Sequence, residues 1–325
     1  MFAKLLAITA NTFAETIRQP IFGVLTWLAA GWLVLVPALS TFSLESGGDN
    51  KIMKDVAFST MLLYGLIGAV FSASSVITRE IESFTVLTVV SKPVSRPLFI
   101  VGKYLGVIAA IAVGHVLLCL VFFMTLQNGV MESTAHKFDQ PVIVLSIVAL
   151  AISLAAATFG NFNYGWHFST ALFSWVIPLG ALATVATFLF DRQWHYQPTF
   201  LPDADSLQAL YAVVLVFLAV LILAAFAVAL STRFSQIATL TLCCGIYLLG
   251  LLSDGCFAAH AQEGLQYRVL AAVLPNFQFF WLGDAITQEL FIAFEHVLRV
   301  AAYAFVYAAA ILALAVSLFQ TREVG

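Results

Sequence analysis

The sequence predicts an all-α, polytopic membrane protein with about eight transmembrane helices. Three observations carry this reading. The chain is 62% hydrophobic and only 10% charged, against roughly 25% charged residues in a soluble domain. Its mean hydropathy is +1.00. Apolar runs recur from end to end, and the 51 residues 140–190 (190 − 140 + 1) contain no Asp, Glu, Lys or Arg. A helix needs about 20 apolar residues to cross a hydrocarbon core of about 30 Å.

The first element, residues 1–19, is amphipathic. Phe2, Leu5, Leu6, Phe13 and Ile17 recur at helical spacing, with Lys4, Asn11, Glu15 and Arg18 on the opposite face. Such a helix lies in the headgroup plane, an elbow ahead of the first span. It lacks a small-residue cleavage site, so it is not expected to be a cleaved leader. Spans are predicted at 21–42, 56–78, 98–126, 141–160, 168–190, 206–231, 235–253 and 300–319. Asn161–His167 reads as a tight turn, and Asp191–Asp205 as an irregular interfacial loop that is a candidate contact for an extracytoplasmic partner. Leu274–Asp284 is too short to span and rich in aromatic residues. Ala285–Arg299 is amphipathic and is expected on the outer surface before the last span. Residues 254–299 thus form an outer re-entrant or interfacial region.

Orientation follows from the basic residues of the short loops. With the N-terminus inside, Lys4, Arg18, Arg79, Lys92, Arg96, Lys103, Arg233 and Arg322 are cytoplasmic. Lys51, Lys54, Lys137, Arg192, Arg268 and Arg299 are outside. Both termini are therefore expected in the cytoplasm.

Composition excludes much else. The spans consume most of the 325 residues, leaving no stretch for a soluble catalytic domain, and a net charge of −3 gives no footing for nucleic acid. Cys119, Cys243, Cys244 and Cys256 form no metal or disulfide framework. No phosphate-binding G-x-x-x-x-G-K-[ST] loop is present.

The most informative connection runs from Thr78 to Gly106. Arg79, Glu80 and Glu82 open it; Ile81, Phe84, Leu87 and Val90 follow at three-residue spacing; Pro93 then ends any helix. Pro97 suits the first turn of the next span. A short surface helix with a charged start and an apolar ridge suits docking into a groove of another protein.

Here the sequence resembles the permease subunits of ABC-2-type exporters, whose loop has the form E-x-E-x-G-T-x-x-x-L-L-S-x-P-V-S-R followed by G-K. The matching residues are Glu80, Glu82, Thr85, Ser91, Pro93, Val94, Ser95, Arg96, Gly102 and Lys103. Phe84 stands where the family usually has glycine, and Val89–Val90 where leucines are usual. Leu230–Arg233, Leu274–Asn276 and Phe319–Glu323 match more weakly. The resemblance implies one transmembrane domain over 1–325, with residues 79–96 as the coupling helix seated in a separate ATP-binding subunit. Arg79, Glu80, Glu82, Phe84, Leu87, Ser91, Pro93 and Arg96 would carry that contact. ATP and Mg would belong to the partner, with no cofactor, metal or catalytic residue in this chain. A second permease chain, identical or not, completes the pathway, and membrane lipids surround it. The location implied is a prokaryotic cytoplasmic (inner) membrane. Such permeases usually have six spans, so residues 141–190 read as an inserted two-span hairpin. Short re-entrant helices in the family support the same form at Leu274–Asp284.

Four further residues are candidates for the pathway or outer gate: His115, Pro275, Asn276 and Phe277. His115 lies in mid-span, where an ionisable group is a functional candidate by default; the alternative is a neutral histidine bonded to a neighbouring helix. The function expected is a permease driven by a separate ATPase. A scaffold transmitting ATP-driven motion to an outer partner is the alternative. An intramembrane enzyme is less favoured, because His115 has no evident catalytic partner and Glu295–His296 lack the second histidine of a zinc helix.

Overall fold

The computed structural model describes residues 2–40, 49–82, 95–128, 139–196, 204–260, 264–281 and 291–320. Within them the chain is helical, apart from turns and one isolated bridge between Phe190 and Tyr196. The helices are α1 (Phe2–Arg18), α2 (Pro20–Ser40), α3 (Asp49–Glu82), α4 (Arg96–Asn128) and α5 (Gln140–Tyr164). They continue as α6 (Phe168–Thr187), α7 (Ala204–Ser231), α8 (Gln236–Leu251), α9 (Leu265–Val273) and α10 (Phe294–Gln320). A π-helical turn, Ser253–Ala258, follows α8, and a 3₁₀ turn, Phe277–Phe279, follows α9.

Among the described residues, seven helices, α2 to α7 and α10, are long and apolar enough to cross a membrane. The 16 residues of α8 fall short alone. Its helical bonding carries on, however: Leu252 N–H donates to Leu248 O and Cys256 N–H to Leu252 O.

Helix α7 forms the centre. It is the most apolar span, with a mean hydropathy of 3.3, and it packs against α3, α10, α4 and α8. Close approach is built in: a Cβ at Gly65 of α3 would fall 2.3 Å from Val220 Cγ2, the small-residue device of membrane helix pairs. The α5–α6 hairpin sits at the edge. Its helices pack mainly on each other, with α4, α1 and, through Phe173 against Phe22 and Trp27, α2 as their further partners. Ile147, Ile152, Phe159 and Phe162 of α5 are exposed to the surroundings, as lipid-facing residues should be. Asp139 caps α5 by accepting from Val142 N–H at 3.1 Å. At the other end Gly165 adopts φ 66°, while its N–H and that of Trp166 return to Asn161 O and Gly160 O, a left-handed cap closing the last turn.

Several expectations need correction. The predicted turn Asn161–His167 shrinks to residues 165–167, because α5 runs on to Tyr164. The last span does not start at Val300 after a separate surface helix: α10 already begins at Phe294, with Glu295 and Arg299 paired one turn apart on its exposed face. Helix α3 continues to Glu82, so Arg79, Glu80 and Glu82 extend a span instead of opening a new helix. At 1.5 Å per residue its 34 residues reach about 51 Å, well beyond a hydrocarbon core of about 30 Å.

Parity can be checked directly. Cysteines placed at Asn163 and Gln320, in a background lacking the native cysteines, should label from one side of the membrane, and a cysteine at Gln193 only from the other. Labelling of Asn163 and Gln193 from the same face would break the hairpin assignment.

Candidate coupling stem and outer turn

The stem of the Thr78–Gly106 segment is the end of α3 and the start of α4. Arg79, Glu80 and Glu82 form the last turn of α3; Phe84, Leu87, Ser91 and Pro93 lie outside the described residues. Arg96 is the first residue of α4, and its Nη1 donates to the backbone oxygen of Gln320 at 2.7 Å. From the turn between α7 and α8, Arg233 Nη2 donates to Leu318 O, also at 2.7 Å. The last carbonyls of a helix have no intrahelical donors, and the helix dipole places negative charge there. Two guanidinium groups from distant parts of the chain thus cap α10. The start of α4, the α7–α8 turn and the end of α10 therefore share one end of the bundle. Phe99 stacks on Phe319 at 5.7 Å, and the buried Lys103 places its ammonium 5.5 Å from the Phe99 ring, within cation–π range.

Helix α1 is seated on the same stem. A Cβ at Gly102 would stand 2.7 Å from Ile8 Cγ2. One at Gly106 would stand 2.5 Å from Thr12 Cβ and 2.8 Å from Thr9 O. Thr9 Oγ1 donates to Gly102 O at 3.4 Å. Gly102 and Gly106 are one helical turn apart, the G-x-x-x-G spacing that lets two backbones approach. The amphipathic pattern had divided α1 into an apolar and a polar face. A third, narrow face centred on Thr12 and Thr16, both fully buried, holds the helix to α4. Ile17, read as lipid-facing, joins the core.

His115 is buried between α4 and α7. Its Nε2 lies 3.2 Å from Val213 O; because a carbonyl can only accept, that nitrogen carries the proton. Nδ1 has no hydrogen-bond partner among the described residues, and Phe217 lies against the ring at 5.0 Å. His115 lines neither of two cavities, of about 510 and 610 Å³. Tyr104 makes a parallel link, donating to Leu221 O at 3.2 Å. One of the two cavities, of about 510 Å³, is apolar and lies between α2, α4, α5 and α6, against Trp27, Leu120, Met124, Ile147 and Gly180.

At the opposite end of the bundle, Pro275, Asn276 and Phe277 meet in one buried turn. Asn276 Oδ1 accepts from Gln278 N–H at 2.9 Å, starting the 3₁₀ turn, and Asn276 Nδ2 donates to Asp254 Oδ1 at 2.6 Å. Its backbone N–H donates to Tyr303 Oη on α10 at 3.1 Å, and Gln278 Nε2 donates to Leu251 O at 2.8 Å. Phe277 packs on Tyr247 and Phe280, and Tyr307 donates to Val273 O. One asparagine thus fastens the turn to the end of α8 and to α10. Gln208 makes a second fastening, accepting from Ile292 N–H at 2.7 Å. Among the described residues, no group of three His, Cys, Asp or Glu is placed to hold a metal ion.

Sequence reading had singled out Arg96 and Asn276 but not their partners. The Gly102–Gly106 seat was legible only as a spacing, and the pairing of Arg233 with the α10 terminus carried no sequence signal. Comparison with curated proteins gives no match. Residues 6–161 match the family model described as ABC-2 family transporter protein, a stretch that runs through most of α5 and does not stop at the start of the hairpin. Over those residues, just under half of its length, the chain is similar to ABC-2 family transporter proteins.

Proposed function

We propose that the chain is the permease subunit of an ABC transporter, coupling ATP hydrolysis by a separate subunit to export. The observation that carries this reading is the family match over residues 6–161, which encloses the whole of the 79–96 segment. In the proposed arrangement residues 79–96 dock in the ATP-binding subunit, in the cytoplasm of a prokaryotic cell. ATP and Mg²⁺ stay with that subunit, and a second permease chain completes the pathway. Helix α8 with its π-helical continuation is the eighth crossing: its 23 residues (258 − 236 + 1) match the length of about 20 that a span needs. The shared end of α4, α10 and the α7–α8 turn supports that parity. Movement of the docked segment would reach α10 through Arg96 and α1 through the Gly102–Gly106 seat, since both contacts lie within three turns of it.

The test is the double variant Phe84→Ala, Leu87→Ala. Interface anchors of this kind contribute more than about 1 kcal/mol each, so the pair should weaken association with the ATPase about 30-fold and leave membrane insertion intact. Normal association and normal export by the double variant would remove residues 79–96 from the interface. ATP turnover that rises with added substrate separates export from motion transmitted to an outer partner.

A further inference from the structure

The second cavity, about 610 Å³, opens at the turn between α5 and α6, beside the last residue of α1 and along the first half of α6. That junction sets its depth at a membrane–water interface. Arg18, the last residue of the amphipathic α1, lines it together with Trp166, His167, Thr170, Trp175 and Pro178. Arg18 carries the only formal charge in the lining, and no carboxylate faces it there. Its guanidinium is exposed and makes no hydrogen bond or ion pair with any described residue. Thr170 Oγ1 is shielded from solvent and likewise has no partner among the described residues. His167 occupies the cap position of α6 without a side-chain bond to it, so the first amide groups of that 20-residue helix add a positive dipole end. The unpaired Arg18 and the start of α6 therefore both favour an anion at one end of the cleft.

The other end is different. The lining follows one face of α6, through Ala171 and Trp175 to Pro178. From the helix start to Pro178 is about 15 Å at 1.5 Å per residue, half of a hydrocarbon core of about 30 Å. Trp166 and Trp175 remain 49% and 41% exposed, as aromatic residues at the headgroup level do. A cleft that is cationic and hydrogen-bonding at the interface and aromatic one leaflet deep is shaped for an amphiphile. We infer that this cleft binds an anionic phospholipid, its phosphate at Arg18 and the first turn of α6 and one acyl chain along Ala171–Pro178. The inference is independent of the transport reading, because it needs only that these helices lie in a bilayer.

Brominated lipids quench nearby indole fluorescence, so Trp166 and Trp175 report occupancy. In phosphatidylcholine–detergent micelles, brominated phosphatidylglycerol should quench the full-length protein with an affinity about tenfold above brominated phosphatidylcholine, the scale of one charge-assisted contact. Arg18→Gln should remove that difference and Arg18→Lys retain most of it. Both variants should melt with the wild type in phosphatidylcholine alone, since Arg18 is exposed. Inorganic phosphate should not displace the lipid at comparable concentration. Equal quenching by the two lipids overturns the inference, as does an unchanged preference in Arg18→Gln. Displacement by inorganic phosphate would assign the site to the free anion and overturn it equally.

Discussion

Gly106→Val should lift α1 from α4. In the native structure even a single Cβ at this position would stand 2.5 Å from Thr12 Cβ and 2.8 Å from Thr9 O. Neither is the free end of a flexible side chain, so the two helix axes must separate. Overpacking of this kind costs about 1–3 kcal/mol, and separation would also weaken the adjoining contact at Gly102, where Ile8 Cγ2 is 2.7 Å from the Cβ position. The expected result is a fall of several degrees in the melting temperature of the detergent-solubilised protein. A second readout is more direct. Thr12 is fully buried, so a cysteine placed there, in a background lacking the native cysteines, should resist modification and react readily once Gly106 is valine. Under the proposed function the same variant should uncouple ATP turnover from transport, because the seat lies immediately beyond residues 79–96. An unchanged melt, with the cysteine at position 12 still protected, would show that α1 is not held by this face.

The same seat shows what the sequence could and could not reveal. Long apolar runs are a direct consequence of lipid as solvent, since backbone groups must be satisfied within a helix and side chains must be apolar. Seven of the eight predicted spans accordingly coincide with helices long and apolar enough to cross a membrane, and the other falls on the 16-residue α8, which is too short alone. Their ends were less legible. Helix α5 extends past Asn161 and Asn163 because Asn161 Nδ2 donates to Trp166 O and Asn163 Nδ2 to Phe159 O, so polar residues that suggested a turn continue the helix. Helix α10 starts early because Glu295 and Arg299 pair across one turn and so tolerate the water-facing end. Tertiary contacts were the least legible. Thr12 and Thr16 look neutral in a hydropathy pattern, yet their small size makes the docking face of α1. Arg233 reads only as a positive-inside residue, although what it touches is the terminus of a helix 85 positions away.

Gly250→Ala should disrupt the Pro275–Phe277 turn more than the loss of a single hydrogen bond would. A Cβ at Gly250 would fall 2.4 Å from Pro275 O and 2.5 Å from Phe277 Cδ2, so backbone must move and Phe277, 1% exposed, must leave its position against Tyr247. The cost is that of overpacking, about 1–3 kcal/mol. Asn276→Ala acts on the same turn by a different route. It removes the cap to Gln278 N–H and the bond to Asp254; loss of a capping side chain alone costs about 1 kcal/mol. If the turn is one unit fastened at α8 and α10, the two substitutions cannot be independent. Once Gly250→Ala has displaced Pro275 and Phe277, Asn276 no longer reaches Asp254, and deleting its side chain should cost little more. The double variant should therefore be more stable than the sum of the single effects implies, by the 0.5–3 kcal/mol that contacting residues commonly show. Melting of the wild type, both single variants and the double variant in one detergent closes the cycle. Additive losses would mean that the α8 contact and the Asn276 bonds hold separate parts of the segment.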